Sequence, residues 1–266
     1  MRRLSFAATA ATACAATLAL ALPAQAGQAC ADKPLTANEV VMSMDLAQRT
    51  VQALDASGAR VALVSRAGQD LSRYRLRYSH MGVAVRDHPA GRWTVVHELN
   101  DCGTASSAIY HEGMGNFFLT DLYRHEAQLV IPGPAAQERI AQLFATRTPL
   151  RMHEPHYNML SYVYATKYQN SNQWVLESLA AAMAPPGQVE TRAEAQSWMR
   201  SLRFQPLTVD VPAATRLGGR MFRANVAFDD HPFERRMAGQ IDTVTTDSVV
   251  RFLRMTDPEA KTMVVD

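Results

Sequence analysis

"SHMGVAVRDHPAGRWTVVHELN", residues 79–100, is two alternating apolar and polar runs around a Pro/Gly cluster. "YRLRYSHMGVAVR" (74–86) reads as one strand and "RWTVVHELN" (92–100) as the next, with "DHPAG" (87–91) as the turn. Folded symmetrically about that cluster, His80 faces His97, Gly82 faces Val95 and Ala84 faces Trp93. Opposed residues on neighbouring strands point to the same side. His80 and His97 are therefore expected side by side, provided the register does not slip by one residue. Two facing imidazoles suit a base and the group that orients it. The plainer alternative is two half-buried polar residues on a sheet face.

Outward from this hairpin, "RVALVSR" (60–66) precedes it as a strand and "EAQLVIP" (126–132) follows as another. Thr36-Ala37-Asn38-Glu39 is a capping box, opening a helix that Gly58 ends. Residues 134–145 start a helix near Pro134, and Thr191-Arg192-Ala193-Glu194 opens another, to about Leu202. Tyr157–Tyr164 reads as helical or irregular. Phe222, Ala224, Val226 and Phe228 alternate as a strand does, "IDTV" (241–244) reads as a further strand, and Asp247 is placed to cap a last short helix. Helix, antiparallel strands, helices and strands in that order give an α+β fold, not the regular alternation of a doubly wound one.

"QNSNQWVLE" (169–177) begins polar and becomes a helix, with Trp174, Val175, Leu176, Leu179 and Met183 at helical spacing and Pro185-Pro186 beyond. Ser and Asn are preferred N-caps, so Ser171 reads either as the cap or as a nucleophile at the helix mouth. The mouth suits a nucleophile, because its free N–H groups and the helix dipole favour developing negative charge. His80 is available as the base, and Asn170 and Asn172 as supporting groups.

The first 26 residues read as a cleaved signal peptide: Arg2-Arg3, an Ala/Leu-rich run, and Ala24-Gln25-Ala26 in the A-x-A pattern. Cleavage would leave one domain, 27–266, with 25 basic and 25 acidic residues, which offers no electrostatic footprint for nucleic acid. No later run is apolar and long enough for a stable membrane span. Of the three cysteines, Cys30 and Cys102 would remain, and an oxidising compartment favours their pairing, worth roughly 4 kcal/mol. The expected location is the periplasm or the exterior.

The segments "SHMGVAV", "WTVVHEL" and "QNSNQWV" together resemble the circularly permuted branch of the NlpC-type papain-like superfamily, which includes the lecithin:retinol acyltransferase-like proteins. The match spans roughly residues 60–184 by pattern. The resemblance implies a permuted papain-like core, decorated here by the N-terminal helix and a C-terminal β extension. It gives His80 the role of base, His97 that of orienting residue and Ser171 the nucleophile position, where the superfamily has cysteine. A serine cannot form the ground-state thiolate–imidazolium pair of such sites and must lose its proton during attack. More closely, "QNSNQWVLE", "TRAEAQSWM" and "FDDHP" resemble an uncharacterised family of exported bacterial proteins, known only as a domain of unknown function.

Other candidates carry less. Cys102 in "NDCGT" follows a strand and suits a disulfide better than a nucleophile. His153 and His156 flank Pro155 in "HEPH", which argues against two metal ligands on one helical turn. "DDHP" (229–232) is explained as a turn. His111, His125 and Arg235-Arg236 have no pattern around them and go to the surface, and Trp93, Trp174 and Trp198 to the core. No metal or cofactor is expected. The expected function is acyl hydrolysis or transfer on amide or ester bonds, with cell-wall peptide as the substrate class. The alternative is a non-catalytic envelope module using the same groove to bind peptide, glycan or lipid.

Overall fold

A strand that is apolar at successive positions must be covered on both faces of its sheet. Residues 61–67, VALVSRA, are of this kind, and Val61, Ala62, Leu63 and Val64 are all fully buried. The computed structural model, which describes residues 34–222 and 224–266, sets this strand inside a six-stranded sheet. The chain runs α1 (Ala37–Ala56), β1 (Val61–Ala67), β2 (His80–His88), β3 (Gly91–Asn100), β4 (Ser107–Glu112), α2 (Met114–Phe118) and β5 (Arg124–Ile131). Then come α3 (Pro134–Phe144), α4 (Thr148–Arg151), α5 (Ser171–Met183), α6 (Arg192–Ser201), β6 (Leu207–Asp210) and α7 (Ala213–Phe222). The remaining elements are α8 (Phe233–Met237), β7 (Gln240–Thr243), α9 (Thr246–Thr256) and β8 (Lys261–Val265).

The main sheet has the order β4-β3-β2-β1-β5-β8 with every pairing antiparallel. Alternation sends Ala62, Val64, Ala84 and Val95 to one face, where they pack with Leu46 and Leu54 of α1 and Phe117 and Phe118 of α2. Leu63, Met81, Val83 and Val96 go to the other face, against Trp174, Val175 and Leu179 of α5, Met199 of α6 and Phe252 of α9. The result is an α+β fold with an antiparallel sheet packed by helices. The C-terminal strands are divided: β6 and β7 form a separate two-stranded sheet, whereas β8 joins the main one. No described helix is long and apolar enough to cross a membrane.

The hairpin is present, but its register is offset by two residues from the symmetric expectation. Val83 faces Val96, Ala84 faces Val95 and His88 faces Gly91. The strands run closer to the turn than the composition suggested, leaving only Pro89-Ala90 between them. An offset of two keeps each side chain on its expected face. His97 thus comes beside Gly82 instead of squarely opposite His80. A Cβ at Gly82 would lie 2.5 Å from Val95 Cγ1 and 3.1 Å from His97 Cβ, so the bare glycine lets the strands carry His97 at this position.

Two strand expectations are corrected. β2 begins at His80, not residue 74, because residues 72–74 form a 3₁₀ turn and Arg75 is left-handed at φ 58°. The alternation from Phe222 to Phe228 is not a strand: α7 runs through Phe222, a turn follows, and Val226 and Phe228 are buried from irregular backbone in a small cluster with Val209 and Ile241. Residues 157–164 are irregular. The last long helix is capped by Thr245, with Asp247 in its first turn. The expected signal peptide and Cys30 lie outside the described residues. Cys102 is not a free thiol, which removes it as a nucleophile.

Candidate functional site

Asn170, not Ser171, caps α5. Its backbone is extended and its Oδ1 accepts the Gln173 N–H at 2.9 Å, while its Nδ2 donates to Thr243 Oγ1 at 3.1 Å. Ser171 is therefore the first helical residue, and its hydroxyl is not consumed by capping. The hydroxyl lies 3.0 Å from His80 Nδ1. His80 Nε2 lies 2.8 Å from His97 Nδ1, and His97 Nε2 lies 3.0 Å from Glu112 Oε2. The three expected residues are thus brought together, with one more at the far end.

The order of donors follows from that end. The His97 hydrogen bond holds the Glu112 carboxyl below its usual range, so Glu112 is ionised at neutral pH and only accepts. His97 must then donate from Nε2, and as a neutral ring it accepts at Nδ1. His80 in turn donates from Nε2 and keeps a lone pair on Nδ1. That lone pair points at the Ser171 hydroxyl. Every hydrogen in the relay is then directed toward the carboxylate, and a ring nitrogen able to accept a proton faces the serine.

Burial keeps both rings neutral. Desolvation lowers His80 well below the ordinary histidine value, and the Arg66 and His97 charges act in the same sense. His97 is lowered by burial and partly restored by its bond to Glu112. Phe117 packs on both rings, with centroids 5.9 Å from His80 and 5.2 Å from His97, and the Arg66 guanidinium lies 4.7 Å from the Phe117 centroid. Arg66 also donates to Phe117 O, and burial lowers its own pKa to about 10.

His80, His97 and Glu112 share the sheet face that carries α2, as the pairings Ala84–Val95 and Val95–Glu112 require. α5 packs on the opposite face. The serine and the base meet only because His80 is the first residue of β2, at the end of the sheet where α5 begins. Asn172 helps to hold this junction, since its Nδ2 donates to Ser79 O at 3.3 Å. The N–H groups of Ser171 and Asn172 belong to the first helical turn, where no preceding helical carbonyl takes them.

A cleft of about 130 Å³ opens over Ser171 and His80, walled by Arg66, Glu98, Tyr157 and Met159 among others. Tyr157 lines this cleft with Ser171, and burial raises its pKa. Glu98 is fully buried with neither oxygen in an ordinary hydrogen bond. The neighbouring Ser107 hydroxyl is engaged with His153 Nε2 at 3.0 Å. Desolvation pushes the Glu98 carboxyl up to about 8, so it is largely protonated at neutral pH.

Sequence reasoning missed Glu112, Tyr157 and Arg66. Glu112 ends "SAIYHE", a short alternating run that signals a third strand of the meander. His111 on that strand bonds His88 Nε2 at 3.2 Å, and Arg235 pairs with Asp242. His156 bonds Glu154 at 2.6 Å, and His231 is buried against Asp230 at 2.9 Å. Among the described residues no group of three His, Cys, Asp or Glu is placed to hold a metal.

Ser171, His80, His97 and Glu112 form a continuous chain of hydrogen-bonding contacts at a helix mouth, over an antiparallel sheet. The chain belongs to the bacterial family designated DUF2145, described as an uncharacterized protein conserved in bacteria, whose model matches residues 53–253. No curated protein and no solved structure matches it.

Proposed function

We propose that the chain is an exported acyl hydrolase or transferase acting on amide or ester bonds, with Ser171 as nucleophile. The carrying observation is the one-directional relay that leaves a lone pair of His80 3.0 Å from the Ser171 oxygen. Ser171 Oγ attacks the carbonyl carbon and its proton passes to His80 Nδ1. As the C–N or C–O bond breaks, that proton leaves on the departing amine or alcohol. Water, or an acceptor hydroxyl or amine, then attacks the acyl-serine and gives its proton to His80, which restores Ser171. The first-turn N–H groups and the Tyr157 hydroxyl would stabilise the oxyanion.

The depressed basicity of His80 fits serine in a position where papain-like sites have cysteine. An imidazolium partner for a thiolate is opposed by burial and by Arg66, whereas a serine needs a neutral base. A helix opening over an antiparallel sheet supports a permuted papain-like core, and that resemblance together with export supports cell-wall peptide as the substrate class.

A fluorophosphonate probe reports the nucleophile directly. It should label Ser171, with loss of fluoride, and labelling should disappear in Ser171→Ala and in His80→Ala. A correctly folded wild-type protein that takes up no probe would sink the serine reading and leave a groove that binds without turnover. For export, the intact mass of the mature, non-reduced protein should show cleavage after Ala26 and two hydrogens fewer than the dithiol. Two alkylatable thiols would defeat the Cys30–Cys102 pairing.

A further inference from the structure

Beside the Ser171 cleft lies a second cavity, of about 270 Å³, and the two share Gln69, Ser79 and Met159 as common wall. Ser171 lines the first and Asn172 the second, so consecutive residues at the mouth of α5 address the two spaces. The second is mainly apolar, formed by Leu160, Val209, Val211, Phe228 and Val244. Apart from Leu160, these residues come from the segment after α6, outside the stretch that resembles the papain-like superfamily. Among the polar residues in the wall, Asn172 lies next to Ser171. Asn172 is 7 % exposed, and its Oδ1 is buried without a hydrogen-bond partner among the described residues. A buried acceptor left open is costly unless a ligand supplies the donor.

Resting on the reading of Ser171 as nucleophile, we propose that this cavity is the specificity pocket for a peptide-type substrate. A bulky apolar side chain flanking the scissile bond fills the space, and an amide N–H of the same substrate donates to Asn172 Oδ1. The apolar walls select the side chain, and the amide acceptor selects a peptide over a plain fatty acyl chain. The pocket joins residues 69–79, 159–160 and Asn172 to β6, α7, the segment before α8 and the end of β7, which gives the C-terminal part of the chain a share in substrate choice.

Calorimetric titration of Ser171→Ala, which cannot turn over, separates pocket from chemistry. The probes are N-acetyl-phenylalanine amide, N-acetyl-alanine amide and octanoate. The phenylalanine amide should bind roughly ten- to a hundredfold more tightly than the alanine amide, as expected for burying a large apolar side chain. Octanoate, with no N–H, should bind more weakly than the phenylalanine amide. Val209→Asp should abolish the preference, and if that variant fails to fold the ligand comparison decides alone. Equal affinities for the two amides, or no heat from either, overturn the pocket. Octanoate binding as tightly as the phenylalanine amide overturns the peptide assignment and points to a lipid acyl group. Phenylalanine preference without fluorophosphonate labelling removes the catalytic reading and keeps the pocket; labelling without preference does the reverse.

Discussion

Replacing Glu112 by Gln removes a charge from the far end of the relay but keeps an acceptor there. His97 can then retain its ring orientation, while the imidazolium formed on His80 during attack loses its countercharge. Charged hydrogen bonds of this kind carry about 1.5–3 kcal/mol, so phosphonylation of Ser171 should slow by roughly tenfold or more. An unchanged rate in Glu112→Gln would remove Glu112 from the relay. At this scale the sequence was informative where chemistry and periodicity coincide. His80 and His97 lie on the alternation of two strongly patterned strands, and Ser171 stands at a clear helix start. Tyr157 was hidden because it lies on irregular backbone, where no period tells which way a side chain points. Arg66 was hidden because a charged residue closing an apolar strand reads as a surface terminus, yet here its guanidinium turns in over Phe117.

The opening of α5 separates two jobs that the string "QNSNQ" leaves superimposed. Asn170 caps, with its Nδ2 also tied to Thr243. Asn170→Ala should therefore cost about 2–3 kcal/mol, combining a lost cap with a stranded buried partner. Ser171→Ala should cost about 1 kcal/mol or less, since the helix keeps its cap. Urea denaturation of the two variants checks the order, and a larger loss in Ser171→Ala would mean that Ser171 is the stabilising group. Within the hairpin, the facing side of each residue was legible from period-two alternation, but the register was not. Turn length sets register, and "DHPAG" allows a loop longer than the two residues used. The false strand at 222–228 has a related cause: alternation appears wherever every second residue is buried, and Val226 and Phe228 are buried by the small C-terminal cluster without any ladder.

Across the whole molecule, the buried His80–His97 pair and the buried Glu98 set opposite responses to pH. His80 and His97 take up protons less readily in the native state than near 6.5, as in the unfolded chain. Below that pH the unfolded state binds more protons, so stability falls as pH drops. Glu98 holds its proton to about 8 when folded, against 4.5 when free. Between those values the native state binds the extra proton, so stability falls as pH rises. Glu98→Gln should then gain stability over wild type as pH rises from 4.5 to about 8, reaching on the order of 5 kcal/mol at pH 9. Thermal melting at a series of pH values reads both limbs, and a melting curve of Glu98→Gln parallel to wild type at pH 9 would contradict the buried unpaired carboxyl. The relay also has an order along the chain. His80 and His97 are 17 residues apart, His97 and Glu112 are 15, but Ser171 comes 91 residues after His80. The proposed base and its carboxylate thus lie together on one compact meander, while Ser171 belongs to a later part of the chain. On the proposed reading, the proton-accepting half of the site can form as the meander folds, and the site gains its nucleophile only when α5 settles over the end of β2.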